Sequence, residues 1–192
     1  MRVMLACTFI ALCVPSTAAA QEATCAHDRD ALLTLDERTF DRAEGGWRTL
    51  AETPACRGAA ADLLATYRAA HPEIADQSGL LHHEAQMRAA AGETEAAITL
   101  IEQTRAFETE PATLAYRDAE LAFLRGDRPA LIAARERLAA IPTPESFADA
   151  VARFRERYPD LEPPRWPINL DVVDGLIACF GRPYDEAYAC RG

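Results

Sequence analysis

Leu81–Arg105 reads LHHEAQMRAAAGETEAAITLIEQTR, and 34 residues further on Ala115–Ala139 reads AYRDAELAFLRGDRPALIAARERLA. Laid over one another, the two stretches pair Glu84 with Asp118, Ala85 with Ala119, Gln86 with Glu120 and Met87 with Leu121. Beyond the turn they pair Ala96 with Ala130, Ile98 with Ile132 and Glu102 with Glu136. A glycine followed by an acid stands at the centre of each, Gly92-Glu93 and Gly126-Asp127. Glycine tolerates the left-handed backbone that ends a helix, so each stretch predicts a helix, a tight turn and a second helix. One such hairpin cannot bury its own apolar face, and hairpins repeated at a fixed period therefore stack.

Outward from this pair the same helical spacing recurs, with almost no strand-like alternation. Ala60, Leu63, Leu64 and Tyr67 form one apolar stripe, and Phe147, Ala150, Val151, Phe154 and Tyr158 form another. Leu170, Val173, Ile177 and Phe180 make a third. The start signals agree: Thr143-Pro144-Glu145 precedes the Phe147 stripe, Asn169 precedes the last one, and Asp127 precedes Arg128-Pro129. His71-Pro72 should close the helix before it, and Gly181 the last one. Pro159 to Pro167 (PDLEPPRWP) cannot be helical and reads as an extended strap. The pattern predicts an all-α chain of about eight helices with no inserted second domain.

The period and its turn resemble the tetratricopeptide repeat (TPR) from Gly79 to Ile141, about a third of the chain. Ala85 and Ala97 occupy small-residue positions of that family. Leu131 and Leu138 depart from it, and the aromatic positions of the first helix are mostly missing. The resemblance implies stacked antiparallel helix pairs, a TPR-like α-solenoid or compact helical array, with ligands held on the inner face by the first helix of each pair. By that resemblance His82, Gln86, Tyr116 and Glu120 line the groove, and the partner is a protein or peptide. Aromatic, amide and acid groups there suit a basic or polar segment. Glu44-Gly45-Gly46-Trp47-Arg48 and Cys179-Phe180-Gly181-Arg182-Pro183-Tyr184 are similar to exported bacterial proteins of repeat type, and no activity attaches to those motifs.

The first residues indicate export. Arg2 gives a positive start, Val3 to Val14 is a nearly unbroken apolar run, and Ser16-Thr17-Ala18-Ala19-Ala20 supplies a small-residue cleavage site. The layout predicts a signal peptide over 1–20 and a single α-helical domain over 21–192, periplasmic or secreted. Within it lie the repeat pair at 79–141, the strap at 159–167 and a C-terminal helix with a disulfide tail at 168–192. Cys7 and Cys13 leave with the leader. Cys25, Cys56, Cys179 and Cys190 remain, an even number in an oxidising compartment, which reads as two disulfides with three possible connectivities. Each terminal pair lies at one end of the mature chain, which favours Cys25–Cys56 and Cys179–Cys190, each worth about 3 kcal/mol by loop entropy.

Composition excludes several chemistries. The formal net charge is −10 and all 20 basic residues are arginine. Such a chain repels phosphate backbones and anionic membrane surfaces, so nucleic acid is not an expected partner. No run after the leader is long and apolar enough to span a membrane. Without lysine there is no Walker A loop, Schiff-base catalyst or Ser-Lys dyad. Ser78 and Ser146 stand in no nucleophile elbow, and no Cys-x-x-Cys pair or zinc spacing appears. No cofactor fingerprint is present, and no residue is assigned as catalytic.

Two other chemistries remain as alternatives to a binding scaffold. A cell-wall glycan-acting enzyme would use paired carboxylates, with Glu84, Glu120 and Glu44 as conceivable acids. Metal handling would use His82, His83 and Met87, although Met87 stands where a zinc-protease helix has its second histidine, and no metal site is assigned. Trp47 and Trp166 read as packing aromatics.

Overall fold

The computed structural model describes residues 25–41, 45–74 and 77–191, so the expected signal peptide and Glu44 lie outside the described residues. Those residues are all helical or irregular, without a strand. Three short helices come first, α1 (Arg29–Leu33), α2 (Glu37–Phe40) and α3 (Gly46–Ala51), and a 3-10 turn at Pro54–Cys56 follows. The body is built from α4 (Arg57–Ala70), α5 (Gln77–Ala90), α6 (Thr94–Arg105), α7 (Pro111–Leu124) and α8 (Arg128–Ala139). Then come α9 (Ser146–Arg157), α10 (Leu170–Ala178) and α11 (Tyr184–Ala189). The additions to the expected eight are mostly helices of four to six residues, too short to show a hydrophobic period.

Successive helices α4, α5 and α6 pack side by side, α7 packs on α8, and α6 joins the two groups through α7. Short connections make such neighbours antiparallel. The two repeats share one turn geometry. Gly92 has φ +82° and Gly126 φ +69°, which frees the chain to reverse. The Glu93 N–H donates to the Arg88 carbonyl at 2.8 Å, and the Asp127 N–H donates to that of Ala122 at 2.8 Å. These bonds satisfy carbonyls that a helix end leaves orphaned. Asp127 then caps α8 by accepting from the Ala130 N–H at 2.9 Å.

The Ala60, Leu63, Leu64 and Tyr67 stripe of α4 is buried with Phe40, Trp47 and Leu80, and Phe40 stacks on Tyr67 with ring centroids 3.6 Å apart. A larger core joins α7 and α8 to α10 and α11 through Phe123, Leu131, Leu138, Val173, Leu176 and Tyr184. The chain after the strap thus folds back across the repeats. At Gly175 an added Cβ would lie 2.9 Å from the Cys190 carbonyl oxygen, so the absence of a side chain lets α10 and the tail meet. Cys25–Cys56 and Cys179–Cys190 are both bonded, with Cα separations of 5.3 and 6.3 Å.

Two expected caps differ from the structure. Asn169 is left-handed, with φ +65°, and its side chain makes no capping bond, because the strap delivers it to α10 in a reversed backbone. The helix of the Phe147 stripe begins at Ser146 rather than Pro144, and Glu145 precedes it without a side-chain cap. The stripe itself differs more: no residue of α9 is buried. The strap from Pro159 to Pro167 is indeed non-helical.

Candidate functional site: a closed polar cluster and an open helix face

His82 and Gln86 stand one turn apart on α5, and Tyr116 and Glu120 one turn apart on α7, so each pair shares a helix face. Stacking turns those faces together. The His82 Nε2 lies 2.5 Å from one Glu120 carboxylate oxygen, Oε2. The other, Oε1, accepts from Gln86 Nε2 at 3.1 Å, from the Tyr116 hydroxyl at 3.1 Å and from the Tyr184 hydroxyl at 2.5 Å. Glu120 has no exposed surface, and His82, Tyr116 and Tyr184 are buried with it.

Three donors crowd Oε1 and one reaches Oε2, so the carboxylate is heavily but unevenly engaged. Burial alone pushes the Glu120 carboxyl up. The charge on His82 and the hydrogen bonds from His82, Tyr184 and Gln86 outweigh it, so the carboxyl sits below its ordinary value. Glycoside cleavage requires the opposite, a carboxyl kept protonated beside a second one. Glu84 is equally engaged: Arg68 binds it and Arg88 lies 3.8 Å from its other oxygen.

The four residues assigned to a groove therefore meet, but as a closed network. Tyr184, carried by α11, covers them. Sequence reasoning missed it, because its 64-residue separation from Glu120 leaves no local pattern. It also missed Asp41, which accepts from Trp47 Nε1 at 2.8 Å and from Arg48 at 3.0 Å. His83 Nδ1 lies 3.1 Å from Asp41, off the alignment of a good hydrogen bond. His82 and His83 thus turn to carboxylates on different elements, and Met87 packs with the α4 core. Among the described residues no group of three His, Cys, Asp or Glu is placed to hold a metal ion. Trp47 is buried, and Trp166 donates its indole N–H to the Ile141 carbonyl at 2.9 Å.

A cleft of about 170 Å³ opens beside the cluster between His82, Thr113, Tyr116, Trp166 and Asn169. Ligand pockets usually span roughly 300–1,000 Å³, so this one holds little more than solvent. A larger hollow of about 460 Å³ lies by the turns at Gly92, Gly126 and Gly181. Its acid, Asp185, is bound by Arg57, so no free acid–base pair faces it.

The cluster carries a pH signature. Burial first, then the Glu120 carboxylate, holds the Tyr116 and Tyr184 phenols well above their ordinary value, and burial followed by the charges of Asp36, Glu37 and Glu73 raises Tyr67. A raised phenol favours the fold while protonated; that contribution is complete below the unfolded value of about 10 and disappears as pH climbs towards the folded value. Unfolding free energy in urea should hold steady up to about pH 9.5 and fall above about pH 10, with a shallower fall in Tyr184→Phe. The absence of lysine leaves tyrosine as the main group titrating there. A level alkaline limb would contradict the buried phenols.

α9 stands apart. It makes no substantial contact with another helix, and Phe147, Val151 and Phe154 are only partly covered. Tyr158, Leu161 and Ile168 just beyond it are 44%, 59% and 43% exposed, and with Phe107 they are the exposed large hydrophobics of the described residues. Together these features define a disulfide-stapled all-α array with a buried polar centre and one amphipathic helix whose apolar row is only partly covered. No helix of the described residues is long and apolar enough to cross a membrane. No protein-family model, curated protein or solved structure matches the chain.

Proposed function

We propose that this protein is an exported, non-catalytic helical-repeat scaffold of TPR-like kind that binds a protein partner through the α9 face. One observation carries the proposal: α9 is an amphipathic helix of 12 residues with none buried. Burying a large apolar side chain completely is worth about 1.5–3 kcal/mol, so a row of them left partly exposed is a surface that gains by association. The groove expected on the repeats supports this assignment indirectly. It is filled by the chain's own Tyr184, whose hydroxyl donates to the Glu120 carboxylate. The leader and the two disulfides suit a protein working outside the cytoplasm.

The test is affinity purification from the native envelope with the wild type and with Phe154→Glu. A partner retained by the wild type should be lost by the variant, while the melting temperature stays within about 2 °C, as befits a site outside the core. Equal recovery of the same partner on both columns would refute docking through α9.

A further inference from the structure

We infer that the α9 face takes an acidic amphipathic helical segment of another protein; this inference rests on the docking role proposed above and names the chemistry of the partner. Helical spacing places Phe147, Val151, Phe154 and Tyr158 in one line along the helix. It places Arg157 along one border of that line and Arg155 along the other, with Asp149 and Glu156 on the far side and Arg153 one turn from Asp149. The apolar stripe is therefore bordered on both sides by guanidinium groups.

Those arginines differ from most others in the chain. Arg57 is bound to Asp185, Arg88 to Asp62 at 2.6 Å, and Arg135 to Asp174 at 2.8 Å. Arg153, Arg155 and Arg157 form no ion pair among the described residues. Arg157 only lies over the Tyr158 ring, 5.7 Å from its centroid, and donates to its hydroxyl at 3.3 Å. A chain of net charge −10 thus keeps two cations without an ion pair, Arg155 and Arg157, beside the partly covered apolar row of α9. A partner with an apolar row bordered by Asp and Glu would match both features, charge against charge and stripe against stripe.

The shape points to a helix. The row is straight and about three turns long, and it continues onto the strap, where Trp166 meets Phe147 edge-on at 5.3 Å. A helix can lie on α9 alone, whereas an anionic lipid surface is extended and would also meet the field of the acidic remainder.

The test titrates the full mature chain, disulfides intact, into fluorescein-labelled probe helices of about 18 residues, followed by anisotropy. One probe carries a leucine row bordered by glutamates, the other the same row bordered by arginines. The glutamate probe should bind. Its Kd should rise at least about fivefold between roughly 50 and 300 mM salt, as expected for exposed charges. Binding should weaken about tenfold or more in Phe154→Glu and in Arg155→Glu/Arg157→Glu, with unchanged melting temperatures. Equal binding of the arginine probe would overturn the inference. So would flotation of the protein with phosphatidylglycerol vesicles while neither probe binds. If the Phe154→Glu variant loses its envelope partner and the glutamate probe still fails to bind, the acidic chemistry falls and docking through α9 stands. If that variant loses nothing, docking itself falls.

Discussion

Glu120→Ala should destabilise the fold by about 3–5 kcal/mol in urea unfolding, the largest effect of any single side chain here. Ordinary truncation of a core side chain leaves a cavity. This one also leaves four donors, from His82, Gln86, Tyr116 and Tyr184, aimed at an empty place that water reaches poorly. Each buried group stripped of its partner costs about 1–3 kcal/mol. Glu120→Gln should be milder, since the amide keeps the shape, but its N–H₂ would face a donor where Oε1 or Oε2 stood. Tyr184→Phe should be milder still, removing one donor from a carboxylate that keeps three. A Glu120→Ala loss below about 1 kcal/mol would mean that solvent already reaches the cluster.

The second large effect concerns the N-terminal staple. Cys25–Cys56 closes a separation of 31 residues. Replacing both cysteines with serine should cost about 3–4 kcal/mol by loop entropy. The structural reason adds to the entropic one. Helices α1, α2 and α3 have five, four and six residues, far below the length at which a helix is stable alone. They are held by Phe40 and Trp47 against α4, and by the bond from the Tyr67 hydroxyl to the Leu35 carbonyl at 2.7 Å. Without the disulfide this layer should detach before the rest, and Trp47 fluorescence should shift red at lower urea than the helical signal is lost. Superimposed transitions at the wild-type midpoint would contradict that role.

Much of the architecture was legible because it is written locally. The repeated Gly92-Glu93 and Gly126-Asp127 turns, the alanines at equivalent positions and the terminal cysteine pairs each depend on near neighbours. His82, Gln86, Tyr116 and Glu120 were expected to line a groove open to a partner; that they bond to one another instead was not legible, although Gln86 and Glu120 stand 34 residues apart on successive helices. What the period could not reveal is what covers that face. Tyr184 arrives by a return of the chain across the repeats, and nothing around it announces Glu120 as its partner. The α9 stripe was legible as a stripe, but amphipathic spacing reads alike whether another helix covers it or not. Asn169 does stand at the N-cap of α10, but it sits there in a left-handed backbone without a side-chain bond, and a capping residue type and a left-handed turn share the same preference for asparagine.

Hydrogen–deuterium exchange of the disulfide-bonded chain tests the arrangement most directly, because protection follows burial and packing of each helix. Amides of α5, α7, α10 and α11 should be the slowest to exchange, those of α9 should exchange well ahead of them, and α9 alone should slow when a partner is bound. If α9 were protected as well as α7, the docking helix would be wrong, and if α11 opened first and exposed Glu120, the buried centre would be wrong.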